Sequence, residues 1–381
     1  MSFQPPGGPP PPHPPGGPPP SGNPYPPQGY PGPQQPWSQQ QWAGGPPPKK
    51  RGSGWKWGLG ALALLVVIGV TAAVTISVTG DGADGADGGP SPTGETFGLA
   101  SANDKGPANI ITEDPSCAAW TPLVRTLAEI QEKGWKERDR SIPATQWTPE
   151  LRAQYEEVAD AMRSAADQTV QLAKVTPHRV MRELYEQFIA YARAYVDAIP
   201  TYTEPANDLV GVASATSNAL TDICTAIRYK SAAARAPLVG SPPDPTTIAK
   251  LTDPRYPQRF LAQAEATCNE WIETLEKFDR NSAAVAWQQI DANIIASQWN
   301  AEQRKTIEAV IPLMNSLADD IQELGLRSDN STLQDFAILA AQYRRAYTQA
   351  LPSYSTSDSY LVAASSDLTS AIADGCRTSE S

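Results

Sequence analysis

Residues 191–202 read YARAYVDAIPTY, and residues 343–354 read YRRAYTQALPSY. One phrase returning after 152 residues decides how the chain is built. At that offset the match spreads in both directions: Trp135 meets Trp287, Asp139 meets Asp291, Gln146-Trp147 meets Gln298-Trp299, and Cys224 meets Cys376. Glu150, Arg152, Val158 and Met162 meet Glu302, Arg304, Val310 and Met314, and 28 of the 90 positions from Trp135 to Cys224 are identical. With a one-residue shift, the CAAW at Cys117–Trp120 meets the CNEW at Cys268–Trp271. The repeats therefore run over 108–230 and 256–377, joined by a linker over 231–255. Units of this length are domain-sized, because solenoid repeats have periods of about 20–50 residues.

Each repeat reads as helix. Alternating β-branched runs and Asn-Gly turns, the marks of strands and hairpins, are missing. Thr148 caps a helix that has Pro149 at its first position. Leu151, Tyr155, Val158, Met162 and Ala165 then recur at helical spacing. The counterpart opens with Asn300 and Gln303 in a capping-box pattern. A third helix is predicted over 178–199, with Val180, Leu184, Phe188, Tyr191 and Tyr195 on one face; Ser331 and Gln334 are predicted to box the start of its counterpart. Pro200 and Pro352 end these helices, since a proline ring clashes with a continuing turn. With a first helix around Trp120 or Trp271 and a last one ending near Cys224 or Cys376, each repeat holds four helices, and short loops between them predict an antiparallel bundle.

The four cysteines fall one near each end of each repeat. A bundle of this topology sets its first and last helices side by side, which selects Cys117–Cys224 and Cys268–Cys376 from the three possible pairings. The tryptophans Trp120, Trp135 and Trp147, with Trp271, Trp287 and Trp299, read as core and corner residues.

The rest of the chain sets topology. Of the 38 prolines, 20 fall in the first 50 residues, so 1–56 is predicted to be a disordered Pro/Gly/Gln-rich tail with polyproline II character. Such a tail suits aromatic-lined grooves of a cytoplasmic partner, weak self-association through Tyr and Trp, or a spacer role. Gly58 to Val78 is 21 residues without a charge, long enough to cross the roughly 30 Å hydrocarbon layer, and a transmembrane helix is predicted over 57–79. Lys49, Lys50, Arg51 and Lys56 precede it and Asp81, Asp84 and Asp87 follow it, which places the N-terminus in the cytoplasm and the C-terminal domain outside. More than 50 residues stand before this apolar run, too many for a cleaved signal peptide. An oxidising outer compartment is where the two disulfides would persist. Residues 80–107 read as a flexible acidic linker. The formal charge of the chain is −11, and with four cations and no acid in 1–56 the remainder carries −15. That excludes a nucleic-acid partner, which needs a basic face.

The layout resembles the Pro-rich-tailed, single-pass membrane proteins of actinobacteria, mycobacteria included. It does so through the start MSFQPPGGPPPP, the anchor KKRGSGWKWGLGALALLVVIGV and an acidic, Ala-rich outer part. The resemblance covers the first 80 residues or so and implies a cell-envelope setting; it brings no active-site residue.

No catalytic or metal constellation stands out. His13 and His178 are the only imidazoles, no CxxC pair exists, and no Gly-rich phosphate loop joins a strand to a helix. The adjacent acids Glu156-Glu157 and Asp319-Asp320 face different ways on a helix, and the Asn330 glycosylation triplet is a common chance match. The candidate binding residues are those of the repeated phrase: Tyr191, Arg193, Tyr195 and Tyr202, with Tyr343, Arg345, Tyr347 and Tyr354. Tyrosine presents an apolar ring with a polar tip, and arginine forks onto carboxylate or phosphate; the competing reading has the rings in the interior. The expected fold is all-α: two tandem disulfide-stapled, four-helix-like bundles behind one membrane helix. The expected role is a non-catalytic, cofactor-free binding or scaffolding module for a protein or envelope partner. A sensor or carrier of a small amphiphile and a wall enzyme are the alternatives.

Overall fold

The computed structural model describes residues 96–380. The tail, the apolar segment 57–79 and the linker up to residue 95 lie outside the described residues. Within them there are ten α-helices, linked by loops and short 3-10 turns, and no strand. No described helix is long and apolar enough to cross a membrane, and the segment expected to do so, 57–79, lies outside them.

Repeat 1 contains α1 (Cys117–Gln131), α2 (Pro149–Val175), α3 (Arg179–Ala198) and α4 (Ala206–Arg228), followed by the short α5 (Ser231–Arg235). Repeat 2 contains α6 (Cys268–Asp279), α7 (Ser282–Gln288), α8 (Ala301–Arg327), α9 (Ser331–Ala350) and α10 (Ser359–Glu380). In repeat 1 each of α1–α4 packs on the next and α1 returns to α4; α6, α8, α9 and α10 do the same in repeat 2. The disulfides close these rings as the cysteine spacing predicts: Cys117–Cys224 ties α1 to α4 with Cα atoms 5.2 Å apart, and Cys268–Cys376 ties α6 to α10 at 5.4 Å.

Local chemistry sets the helix ends. The Thr148 hydroxyl accepts from the Leu151 amide, and Asn300 and Gln303 satisfy each other's amides reciprocally. Cap bonds of this kind contribute about 1 kcal/mol each. One expected cap is corrected. α9 is capped by the Asn330 side chain, which accepts from the Leu333 amide, while Gln334 turns back to the Ser328 carbonyl. Asn is as good a cap as Ser, and the carboxamide one residue earlier takes the bond. The prolines end their helices as expected: α3 and α9 pass into the 3-10 turns Ile199–Thr201 and Leu351–Ser353.

The sequence leaves open how the repeats sit together. They share one continuous core of buried side chains, and among the described residues the most extensive helix pair is α4 with α10, one helix from each repeat. Tyr229 near the end of α4 stacks on Tyr360 near the start of α10, while Gly211 near the start of α4 abuts Asp374 near the end of α10, so the pair is antiparallel. A Cβ at position 211 would stand 2.6 Å from the Asp374 carboxylate oxygen, which is why glycine occupies this crossing.

Candidate functional site

The repeated phrase turns its six tyrosines inward and leaves Arg193 and Arg345 nearer the surface. Tyr191, Tyr195, Tyr202, Tyr343, Tyr347 and Tyr354 are all buried. In repeat 1, Trp147 stacks on Tyr155 at 3.9 Å, Tyr155 meets Tyr202 at 5.0 Å, and Trp135 meets Tyr195 at 6.3 Å. In repeat 2, Trp299 stacks on Tyr354 at 5.7 Å and the Trp287 indole donates to the Tyr347 hydroxyl at 3.1 Å. Burial pushes the Tyr195, Tyr202, Tyr347 and Tyr354 phenols well above their ordinary pKa. Arg193 and Arg345 lie at the rim and pair with Asp167 and Asp319, each at 2.7 Å. The rings therefore offer no free face to a partner.

The tyrosine hydroxyls instead hold the chain to itself. Tyr202 donates to the Arg140 carbonyl and Tyr354 to the Ala292 carbonyl, which fixes the loop leading into the second helix of each repeat. Tyr191 of repeat 1 donates to the carbonyl and accepts from the amide of Leu261, in the lead-in to repeat 2. Tyr343 of repeat 2 donates to the Ile111 carbonyl, in the lead-in to repeat 1. Each lead-in thus lies against the third helix of the other repeat.

A second constellation escaped the sequence reading. Arg179 of α3 forks onto Asp335 of α9 through bonds of 2.7 and 2.9 Å, with both side chains 1% exposed. It also donates to the Asp104 and Gly106 carbonyls. Beside it on α3 lie Arg182, Glu183 and Glu186, all buried. Burial, with the Asp335 charge adding to it, holds Glu183 well above the usual carboxylate range despite Arg182 and Arg179. Burial likewise pushes Glu186 up to about 7 against the pull of Arg182. Among the described residues no group of three or more His, Cys, Asp or Glu could hold a metal ion. Two surface hollows are shallow and open, one by Lys133, Glu150 and Glu157 and one by Arg304 and Ser353.

Residues 99–380, the whole helical body, match the family described as mycobacterial ESX-1 associated protein. The chain belongs to that family. It is also 49% identical over 342 residues to an uncharacterized protein of Mycolicibacterium smegmatis (strain MKD8), covering 89% of this chain and 90% of that one. That span is longer than the helical body, so the likeness reaches into the residues before it. No solved structure matches.

Proposed function

We propose that the protein is a membrane-tethered, non-catalytic component at a mycobacterial secretion apparatus. Its duplicated helical body acts outside the membrane as a binding or scaffolding module, and its Pro-rich tail reaches an inner partner. The observation that carries this reading is the extent of the family match, which covers the whole body over 99–380. The two disulfides suit an oxidising compartment. The cations before and acids after the apolar segment 58–78 suit an anchor with its C-terminal side outside. An enzyme would need acids and bases at a concave surface, whereas Glu183, Glu186 and Asp335 are spent inside the junction of the repeats. A carrier of an amphiphile would need a chamber where the tyrosine rings now stack on tryptophan.

The test is crosslinking in a mycobacterium with a reagent that does not cross the membrane. A tagged full chain should capture components of the secretion apparatus, and a tagged tail and anchor alone (residues 1–95) should not. Equal capture by both would refute the body's role. Tyr256 is 71% exposed, and a Tyr256→Cys variant should react with an impermeant thiol reagent on intact cells; protection there would place the body inside.

A further inference from the structure

The antiparallel α4/α10 pair carries four carboxyls along the seam between the repeats: Asp208 and Asp222 on α4, Asp367 and Asp374 on α10. Asp222 and Asp374 hold the same position in the two repeats. At the Asp374 end the charge is met. Arg377, one turn on, pairs with it at 2.5 Å and also acts on Asp208, and Arg140 adds a second cation. At the Asp222 end the position matching Arg377 is Thr225, whose hydroxyl is spent on the Thr221 carbonyl. Asp222 faces Asp367 instead, carboxyl to carboxyl within hydrogen-bond reach, and Asn218 also bonds Asp367.

No cation acts on either carboxyl of this pair among the described residues. Around it, Tyr360 stacks on Tyr229 with Arg228 beside them. α1 contributes the uncharged Trp120 indole, bonded to Thr221. The charges on the other neighbouring elements have other partners: Arg182, Glu183 and Glu186 of α3 one another, Arg344 of α9 the Ser366 hydroxyl of α10 and the Asp279 charge of α6, and Arg235 of α5 Asp358.

Two carboxyls this close, without a cation, cannot both ionise, so they share one proton in an O–H···O bond. We infer that Asp222 and Asp367 form a proton-held latch across the seam between the repeats, closed in acid and loosened as pH rises. Burial raises both carboxyls, Asp222 to about 7, in agreement with that geometry. The sign follows from linkage. An unfolded aspartate loses its proton near pH 4, while in the folded pair Asp222 is raised to about 7 and Asp367 well above its ordinary range. The latch therefore contributes most below pH 4 and loses strength as pH rises from about 4 through about 7.

Hydrogen exchange of the full chain in mild detergent, corrected for intrinsic rates, tests this at about pH 5 and about pH 8. Peptides of α4 and α10 should exchange about tenfold faster or more at the higher pH, a change equivalent to one pKa unit, while α2 and α8 hold. The Asp222→Asn/Asp367→Asn variant should flatten that dependence. Thr225→Arg, which supplies the cation that Arg377 gives the other end, should restore protection at the higher pH, and it keeps the test open if the double variant fails to fold. An unchanged pH profile in both variants would overturn the latch. So would calcium tightening the wild-type seam at the higher pH, which would make the pair a metal site.

Discussion

The two repeats keep the same corners and differ in where they keep their charge. Ala144 donates to the Tyr202 carbonyl in one and Ala296 to the Tyr354 carbonyl in the other, at 2.9 and 3.0 Å. The Trp147 indole meets the Ile142 carbonyl at 2.8 Å, and Trp299 meets Ile294 at 3.0 Å. Arg152 and Arg304 both reach back to the same alanine carbonyls. These bonds satisfy backbone groups that every copy of the loop buries, so they survive while surrounding side chains change. The cations do not match. Repeat 1 lays Arg138 from a loop over Trp135 at 3.6 Å, and position 290 in repeat 2 is Ile290. Repeat 2 buries Arg344 on α9 beside Phe278, where repeat 1 has Ala192. Across the seam the asymmetry is sharper. Arg179 faces Asp335, but the mirrored positions are Ser331 and Glu183, so one acid has an arginine across the seam while the other has only Arg182, its neighbour on the same helix, at 3.3 Å.

The largest effect should come from breaking that asymmetry at the paired end. Asp335→Ala leaves the Arg179 guanidinium buried without its carboxylate, and urea denaturation near neutral pH should show a loss of about 3–5 kcal/mol. Burial pushes the Glu183 carboxyl well above the usual carboxylate range, so Glu183→Gln, an amide of the same shape, should cost much less than Asp335→Ala. Comparable losses from the two variants would show that both acids are charged in the folded chain.

Next come the disulfides. They close loops of nearly equal length, with sequence separations of 107 and 108. Replacing both cysteines of either pair by alanine should cost about 2–4 kcal/mol. The two losses should match closely, because loop length enters only logarithmically. Thermal unfolding should also remain one transition in both variants, since the repeats share a core. Two separate transitions would mean that each repeat unfolds alone.

Most of the fold was written in local signals. Caps at Thr148 and Asn300, the helical spacing along α2 and the position of the cysteines each act within one helix or one repeat, and each is legible without knowing what lies opposite. The seam is not local. Arg179, Arg182, Glu183 and Glu186 read as the solvated side of an amphipathic helix, yet every residue from Arg179 to Ala192 is buried. One signal could have revealed it. In α9 the run from Phe336 to Ala341 is apolar on every side, the mark of a helix buried all round, and its repeat mate α3 had to share that environment. The lead-ins around Ile111 and Leu261 carry no periodicity, so nothing in them announces that they cross to the opposite repeat. The tyrosines were visible as a recurring set, but whether a ring faces water or a tryptophan depends on the partner helix.

The smallest effect sharpens the comparison inside the repeats. α8 carries Gly325 where α2 carries the buried Ala173. A Cβ at 325 would come within 2.5 Å of the Ala337 Cβ on α9, an atom that cannot rotate away. At the position matching Ala337 repeat 1 has Tyr185, which fills a different space. Alanine in mid-helix is favoured over glycine by about 1 kcal/mol, while forcing an extra carbon into a close helix crossing costs about 1–3 kcal/mol. The crossing wins because α8 and α9 must separate to admit the methyl group, so Gly325→Ala should destabilise by about 1 kcal/mol. Ala337→Gly in the same chain should recover that loss by reopening the gap. In repeat 1 the methyl at 173 is fully buried, so Ala173→Gly should cost the propensity difference of about 1 kcal/mol and about 0.8 kcal/mol more for the lost burial, and no change at position 185 should recover it.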